Sequence, residues 1–412
     1  MKSKYLLFLM LSTGLTALLN FIVQIYIARN SSVEVFGIYS VYNTMILMGI
    51  PIITMGLSDL ILKQISEKNN ISSRLDINIL FLVFTYCFIG FLLLNYFFSW
   101  YFYDGFFEKK YLSFMAIGVF SYVFHELYLA YLTGGQNKLF LILWQPCLHL
   151  VRFFILIILV ILHNKLDITN ILEMAVFSSI VIFSIVAINF KNIFLIRTRD
   201  LSFYKILDIC RNGFWFGLSG IFYIIYSQIS SLYVGKFFGA EEAGYFNIGY
   251  TFLLMSLIIP NTIYTKILLP KLHRSVLDNP SYLKYFYKKG AFILFFSGIL
   301  VSFILYILSE YILLYFYGDK YLVANDIFRK IIINIPLFYM VIHYGIYSYL
   351  NNLQKYKALV LALTTLFSLI VNYILVSYIG IDGAAMGVGV VLIFIIVLYI
   401  FINKNIIFKC IE

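Results

Sequence analysis

Three polar residues share one face of an otherwise apolar stretch at 139–163. Gln145, His149 and Arg152 stand at positions i, i+4 and i+7, which fall on the same side of an α-helix. An arginine with an imidazole and an amide beside it can bind an anion through charge-assisted hydrogen bonds. The structural alternative is an ion pair between Arg152 and Glu126.

A second group of residues has side chains that can exchange protons. His125, Glu126 and His343 lie within predicted helices, and histidine changes charge near neutral pH. They are candidates for coupling proton movement to a conformational cycle, or else packing residues inherited from a duplicated ancestor. Asp59 is a fourth candidate, although Asp59 and Lys63 at i and i+4 also predict a structural ion pair.

Two further sets of polar residues occupy matching positions in the two halves of the chain. Arg29 and Lys236 stand at equivalent helix ends, where a long side chain can reach the membrane interface or bind an anion. Short polar stripes in the first helix of each half could line a cavity or join helices by hydrogen bonds. These stripes are Asn20 with Gln24, and Ser227 with Ser231.

The composition indicates the environment of these residues. Apolar residues make up 62% of the 412-residue chain and charged residues 12%, whereas a soluble domain carries about 25% charge. The deficit extends along the whole chain and predicts an all-α polytopic membrane protein with no sizeable soluble domain. The four cysteines are scattered without a C-x-x-C pair, so the sequence predicts no disulfide framework, no metal site and no cofactor.

Roughly twelve stretches are long enough to span a membrane, since a helix needs about 20 apolar residues to cross about 30 Å of hydrocarbon. The first has no signal-peptide cleavage site and is kept as a membrane helix. Pro51 and Gly56 interrupt the second, and Pro146 predicts a kink in the fifth. The predicted spans are 5–28, 36–62, 77–99, 112–133, 139–163, 170–190, 212–235, 243–268, 290–315, 328–350, 356–378 and 383–403.

The distribution of basic residues predicts the orientation. With the N-terminus inside, the inner segments hold 21 Lys and Arg and the outer segments hold 8. This bias follows the positive-inside rule and places both termini in the cytoplasm. The net charge of +11 is therefore a topology signal, and no nucleic-acid partner is expected. The most basic connection, 191–211, is predicted as a cytoplasmic linker between two six-helix bundles at 1–190 and 212–412.

An internal repeat supports this division. Tyr26–Thr44 aligns without a gap on Tyr233–Thr251 at an offset of 207 residues, with Gly37 and Gly244 among the identities. A second match, His-x5-Tyr-Leu-x3-Gln, begins at His125 and again at His343, at an offset of 218. An even number of spans in each half makes the bundles parallel, as in transporters that rock two halves about a central site.

The chain resembles the polysaccharide flippase group, the O-antigen (Wzx-type) translocases of the multidrug/oligosaccharidyl-lipid/polysaccharide superfamily. The resemblance rests on five short motifs in the family's order. They are Phe36-Gly37-x-Tyr39-Ser40, Gly56-x-x-Asp59-x-x-x-Lys63, Leu269-Pro270-Lys271-Leu272, Tyr317-Gly318-Asp319-Lys320-Tyr321, and Gly380-Ile381-Asp382-Gly383-Ala384-Ala385. One departure is that the family's seventh helix often carries an acidic residue where this chain has serine and glutamine at 227–231, which argues against ion coupling there.

The resemblance implies a V-shaped pair of six-helix bundles in a bacterial plasma (inner) membrane. Its implied cargo is an undecaprenyl-diphosphate-linked oligosaccharide, such as an O-antigen unit for lipopolysaccharide biosynthesis, flipped from the inner to the outer leaflet by alternating access. Arg152 is then the first candidate for the diphosphate. Because an arginine near the bilayer centre is costly, its polar stripe is expected to face a wet cavity rather than lipid. Implied partners are membrane lipids, a polysaccharide polymerase and a chain-length regulator.

Two other functions compete with this interpretation. A cation-coupled multidrug exporter would share the fold, but cationic drugs favour buried carboxylates, and basic residues outnumber acidic ones near the proposed cavity. A membrane glycosyltransferase or polymerase would need catalytic residues in a large outer loop, whereas the longest predicted outer loops are about a dozen residues and no D-x-D motif appears. The sequence therefore predicts a transporter and no enzyme.

Overall fold

The protein is described from a computed structural model. The structure describes residues 2–68, 75–101, 109–135, 138–163, 165–189, 194–195, 201–269, 271–272, 280–348 and 354–404. Within these residues the chain is almost entirely helical, as the hydropathy predicts. The one exception is a parallel pairing of two-residue strands, β1 (Leu75–Asp76) and β2 (Phe194–Leu195).

The chain folds into two compact units. Unit 1 comprises Met1–Val35 and Tyr42–Ile221, and unit 2 comprises Phe36–Val41 and Phe222–Glu412. Part of the predicted linker, 191–193 and 196–200, lies outside the described residues. Its C-terminal end begins a 36-residue helix, Phe203–Phe238, which continues through the predicted boundary at 211/212, so the units divide within a helix.

The helices of the N-terminal half follow the predicted spans, with two of the spans broken. They are α1 (Lys2–Asn30), α2 (Val33–Thr54), α3 (Leu57–Lys68), α4 (Ile77–Tyr101), α5 (Lys109–Gly134), α6 (Lys138–Trp144), α7 (Cys147–His163), α8 (Ile168–Ile188) and α9 (Phe203–Phe238). Ser32 accepts a hydrogen bond from the backbone N–H of Val35 and so caps the start of α2, as serine does at many helix N-termini.

The breaks occur at Gly56 and at Pro146, as the sequence indicated, whereas Pro51 lies inside α2 and does not interrupt it. Between α2 and α3 the backbone is left-handed at Met55 (φ 43°) and Gly56 (φ 79°), a conformation that only glycine adopts without cost. A Cβ on Gly56 would lie 2.5 Å from the carbonyl oxygen of Gly213 and 2.8 Å from the amide nitrogen of Gly217 on α9. The predicted kink at Pro146 is a complete interruption between α6 and α7.

The C-terminal half contains more irregular helix. Its α-helices are α10 (Ala240–Ser256), α11 (Ile258–Thr262), α12 (Pro280–Ile312), α13 (Asn325–Ile332), α14 (Ile335–Gly345), α15 (Gln354–Ile379) and α16 (Ile381–Ile402), and they are joined by π-helical turns at Ile263–Leu268 and Leu313–Tyr317 and a 3-10 turn at Asp319–Ala324. Such π-helical turns are uncommon and occur often at functional sites.

Eleven described helical segments are long and apolar enough to cross a membrane. The predicted span at 212–235 is not among them. It lies in α9, which is long enough, but Gln228 and the serines around it lower its hydropathy. The other predicted spans coincide with these segments, and the chain is an all-α polytopic membrane protein.

Candidate functional site

The polar face of unit 1 is positioned by the break at Pro146. Proline has no N–H and cannot bond to the carbonyl four residues earlier, which here is Ile142. The Ser12 hydroxyl from α1 donates to that carbonyl instead, at 2.7 Å. The Trp144 carbonyl accepts a hydrogen bond from Nε2 of His125 at 3.0 Å. Since buried carbonyls need partners, these two side chains from neighbouring helices make the break possible.

His125 and Trp144 form a reciprocal pair. The Trp144 indole N–H donates to the His125 carbonyl at 3.1 Å, and the two rings stack with centroids 5.3 Å apart. A carbonyl oxygen can only accept, so Nε2 of His125 carries a proton. His125 therefore fastens α5 to the break. Its candidacy for ion coupling remains a prediction, beside this structural role.

The three residues of the predicted polar face lie together in unit 1, where they pack against α1 and α5. Arg152 is 0% exposed; its Nη1 donates to the Tyr122 hydroxyl, and its Cζ lies 4.6 Å from the centroid of the Tyr122 ring. The His149 ring meets the same tyrosine edge-on, with centroids 6.2 Å apart. The Gln145 amide donates to the Thr13 hydroxyl at 3.0 Å.

This arrangement corrects one expectation and keeps another open. We expected Arg152 to face water, but in this structure the Tyr122 ring and hydroxyl cover it, because stacking and a hydrogen bond offset part of the cost of burying a guanidinium. Two polar atoms of the same face, Oε1 of Gln145 and Nδ1 of His149, are buried without a hydrogen-bond partner among the described residues. Such atoms are rare in native proteins and could receive a ligand.

The remaining candidates of the N-terminal half lie on three helices, α1, α3 and α5. Glu126 is partly buried in α5, and Asp59 is exposed in α3. The side chain of Lys63, the predicted partner of Asp59, lies outside the described residues. On α1, Gln24 is buried, Asn20 is half-buried and Arg29 is exposed near the helix end. Asp59 acts electrostatically on Glu126, so these two ion-coupling candidates, on α3 and α5, lie near each other.

The polar stripe at the start of unit 2 is used in contacts between helices. The Ser231 hydroxyl accepts from the Asn247 amide of α10 at 2.8 Å, and the Tyr250 hydroxyl donates to the Ser227 carbonyl. The neighbouring Ser230 donates to Oδ1 of Asn372 on α15 at 2.8 Å. The contact of Ser231 corresponds to the second interpretation of the stripe, hydrogen bonding between helices, whereas the Ser227 hydroxyl bonds to the Ile224 carbonyl of its own helix. Lys236, in the last turn of α9, is half-buried.

His343 is held from two sides within unit 2. Its Nε2 donates to the Tyr287 carbonyl at 2.9 Å. Its Nδ1 forms a second hydrogen bond with the Tyr264 hydroxyl, whose oxygen lies 2.9 Å away. His125 and His343, equivalent in the repeat, thus bond to different partners. Coupling by His343 stays a prediction.

Residues 36–41 of α2 belong to unit 2 and bring two of the sequence motifs together. The Phe36 ring meets Tyr321 edge-on at 5.5 Å and Tyr317 at 6.1 Å between centroids. A Cβ on Gly37 would overlap the carbonyl of Ala240, and a Cβ on Gly244 would lie 3.1 Å from the Gly37 Cα. The repeated glycines are therefore close to each other and allow two backbones to touch.

The comparisons with known proteins agree with this architecture. The polysaccharide biosynthesis protein family matches residues 4–276, about two thirds of the chain. The chain belongs to this family. No curated protein sequence matches it.

Solved structures with the same fold are membrane transporters of the MOP superfamily. An inward-facing multidrug resistance MATE family transporter superposes with a TM-score of 0.72 at 14% identity, covering 96% of this chain and 95% of the other. The lipid II flippase MurJ, in an inward closed conformation, has a TM-score of 0.70 at 14% identity and coverages of 96% and 87%. The MATE multidrug transporter DinF-BH gives 0.68 at 14%, with 98% and 95% covered. At such identities the likeness establishes the fold alone.

The sequence interpretation missed several residues of the site in this family member. Tyr122 contacts both Arg152 and His149, and Ser12 and Thr13 of α1 bond to the broken helix. Tyr122 stands three residues before His125, on the same helix face, but one of 35 tyrosines carries no distinguishing signal. The sequence does indicate that Pro146 leaves the Ile142 carbonyl without its helical hydrogen bond, so that a donor such as a hydroxyl is needed there. It does not indicate which helix supplies that donor.

Proposed function

We propose that this protein flips a lipid-linked oligosaccharide, with a polyprenyl diphosphate as its lipid carrier, across the bacterial plasma membrane by alternating access. Membership of the polysaccharide biosynthesis family carries the proposal, and the transporter fold supports it. The cargo is an O-antigen unit or a related surface polysaccharide precursor. Its polymerase and a chain-length regulator are the expected partners.

The charge inventory of the interior suits an anionic cargo. Among the described side chains, Arg152 is the only fully buried Lys, Arg, Asp or Glu. The open atoms of Gln145 and His149 lie on the same helix face. In this structure Tyr122 covers the guanidinium, so contact with a diphosphate requires α7 to move from α5. The interruption at Pro146 is a place where such a bend needs no further hydrogen bond to break.

The membrane potential would assist this transport. Moving one charge through 100 mV is worth about 2.3 kcal/mol, and an inside-negative potential drives a diphosphate outward. The positive-inside bias supports cytoplasmic termini and loading from the cytoplasmic leaflet.

The first test replaces Arg152. We expect Arg152→Ala to abolish complementation of a flippase-deficient strain and to reduce flipping in vesicles by at least about tenfold, since loss of a charged hydrogen bond costs about 1.5–3 kcal/mol. Arg211→Ala, at an exposed position of α9, is the matched control and should complement. Membrane insertion is checked by fluorescence of a C-terminal fusion. Normal surface glycan from an inserted Arg152→Ala protein would remove the residue from the pathway.

The competing function is multidrug export, which the named function of the MATE transporters favours. An exporter would lower the accumulation of cationic dyes in cells and would be indifferent to lipid-linked sugar. We expect vesicles containing the purified protein to flip a polyprenyl-diphosphate sugar and to leave dye distribution unchanged. The opposite pair of results would replace the proposed function with drug export.

A further inference from the structure

Unit 2 contains a pocket that the proposed function has not used. It is a partly open cleft rather than a closed cavity, and its lining combines apolar surface with a few polar groups, as small-molecule sites do. Its walls come from α9, α11 and the π-helical turn after it, α14, α15 and α16. All of these lining residues belong to unit 2.

The floor of the pocket is aromatic and its rim is polar. Tyr226, Tyr264 and Tyr399 line it and are buried, at 4%, 5% and 4% exposure. Asn261 and Thr265, which also line it, are exposed. Aromatic rings offer a rigid apolar surface, and a few placed polar groups fix the orientation of a ligand. A sugar has this same division, with a C–H face and an edge of hydroxyls.

The π-helical turn and His343 position this floor. Tyr264 and Thr265 both lie in the turn Ile263–Leu268. The hydroxyl of Tyr264 is held by Nδ1 of His343 at 2.9 Å, and Nε2 of that histidine is anchored to the Tyr287 carbonyl. The tyrosine ring is therefore fixed in the wall before any ligand arrives, which lowers the entropy cost of binding.

Lys357 gives the pocket its charge. Among the described residues that line the pocket it is the only charged one. It is half-buried, and an ammonium group attracts an anion and repels a cation. The pocket lies at the end of unit 2 where α14 ends at Gly345 and α15 begins. The basic-residue bias places this end on the cytoplasmic side, where a lipid-linked precursor awaits export.

We propose that this pocket is a loading subsite for a sugar that carries an anionic group, either the diphosphate on its anomeric carbon or a carboxylate on the glycan. The proposal rests on the proposed function, whose cargo contains both sugar and diphosphate. Lys357 pairs with the anion, the tyrosine floor packs against the C–H face, and Asn261 and Thr265 bond to hydroxyls. His343 acts as a positioning residue through Tyr264.

The test measures binding to the purified full-length protein in lipid nanodiscs. The probes are undecaprenyl-diphosphate N-acetylglucosamine, undecaprenyl diphosphate without sugar, and a free disaccharide containing glucuronic acid. We expect Lys357→Gln to weaken the binding of at least one sugar-bearing probe about tenfold, which is the effect of losing a charged hydrogen bond. Lys355→Gln, at an exposed lysine two residues away on the same helix, is the matched control and should bind normally.

A second pair of variants tests the shape of the pocket. A Cβ on Gly345, in the pocket wall, would lie 3.4 Å from the Tyr399 ring, an ordinary contact, so Gly345→Ala should fold while narrowing the site. Gly14→Ala, where a Cβ meets nothing within 4 Å, is its control. We expect Gly345→Ala to weaken the binding of the sugar-bearing probe several-fold and to leave the melting temperature of the protein unchanged.

The three probes distinguish a diphosphate from a carboxylate as the bound anion. Together with flipping assays they also distinguish failure of the subsite from failure of the proposed function. Weakening of both lipid probes by Lys357→Gln assigns the lysine to the diphosphate, and weakening of the disaccharide alone assigns it to a carboxylate. Unchanged binding of all three probes by both Lys357→Gln and Gly345→Ala overturns the subsite. Flipping by the wild type with unchanged KM in both variants defeats the subsite alone, whereas no flipping by the wild type defeats the proposed function.

Discussion

The two units are built from a repeated sequence but use their buried polar groups differently. Unit 1 encloses an arginine that is stacked on Tyr122. Beside it, Gln145 and His149 each have a buried atom with no hydrogen-bond partner in the part of the chain that the structure describes. Unit 2 uses Ser230 and Asn372 to join α9 to α15. The pockets show the reverse pattern, because the polar and charged lining residues are in unit 2. One pocket of unit 1 is lined by aliphatic and aromatic side chains, whereas the pocket described in unit 2 also contains Lys357, Asn261 and Thr265.

This difference indicates that the two halves kept the same helices after duplication, whereas the side chains packed between the helices diverged. A bilayer requires every backbone polar group to be satisfied within a helix, so the spans are constrained in both halves. The side chains between helices need only fill space and satisfy one another. His125 and His343 show the result, since one closes a helix break and the other fixes a tyrosine.

The largest effect is expected where the repeated glycines meet in unit 2. Gly37→Val would push a Cβ into the Ala240 carbonyl, and because the obstacle is backbone it cannot rotate away. We expect a loss of about 3 kcal/mol, the upper end for overpacking, seen as a lower melting temperature of the detergent-solubilised protein. Gly14→Val in α1 of unit 1, where nothing lies within 4 Å, should change stability little. Equal losses at the two glycines would remove the distinction between them.

An intermediate effect should distinguish the two histidines. His125→Phe leaves the Trp144 carbonyl at the helix break without its donor, which costs about 1–3 kcal/mol. His343→Phe should cost less, because the Tyr287 carbonyl lies inside α12 and keeps its helical hydrogen bond, and because the Tyr264 hydroxyl that it also releases lines the open pocket, where water can bond to it. Thermal unfolding of both variants gives the order. His125→Gln retains a donor and should recover part of the loss; if His343→Phe is the more destabilising variant, the roles assigned to the pair are reversed.

The smallest effect should come from the hydrogen bonds between helices in unit 2. Ser230→Ala removes the bond to Asn372, and such bonds in membranes average about 0.6 kcal/mol. The matched control is Ser184→Ala in unit 1, an exposed serine bonded to the Ile180 carbonyl of its own helix. We expect a small drop in melting temperature for Ser230→Ala and none for the control. A loss of several kcal/mol at Ser230 would give this contact a larger role than joining two helices.

Much of the fold could be predicted from proline and glycine, because each of them changes the backbone at its own position. Pro146 removes one backbone hydrogen bond wherever its span packs, since the missing N–H is a property of the residue, although Pro51 does the same inside a continuous helix. Gly56 marks a left-handed break for a similar local reason. By contrast, the burial of Arg152 beneath Tyr122 depends on how α5 and α7 pack, and the pattern around Arg152 predicted an open cavity. Likewise Ser227 and Ser231 were equally compatible with a cavity or a helix contact.

By itself the sequence determined the class of protein, the spans, the helix breaks and the repeat, because hydropathy, proline and glycine act within a few residues of chain. Only the tertiary structure decided that residues 36–41 of α2 join unit 2, that the repeated glycines meet, and that Lys357 lines an aromatic pocket. These facts depend on residues far apart in the chain. The physical reason is that apolar helices in lipid have many compatible neighbours, and close packing selects among them.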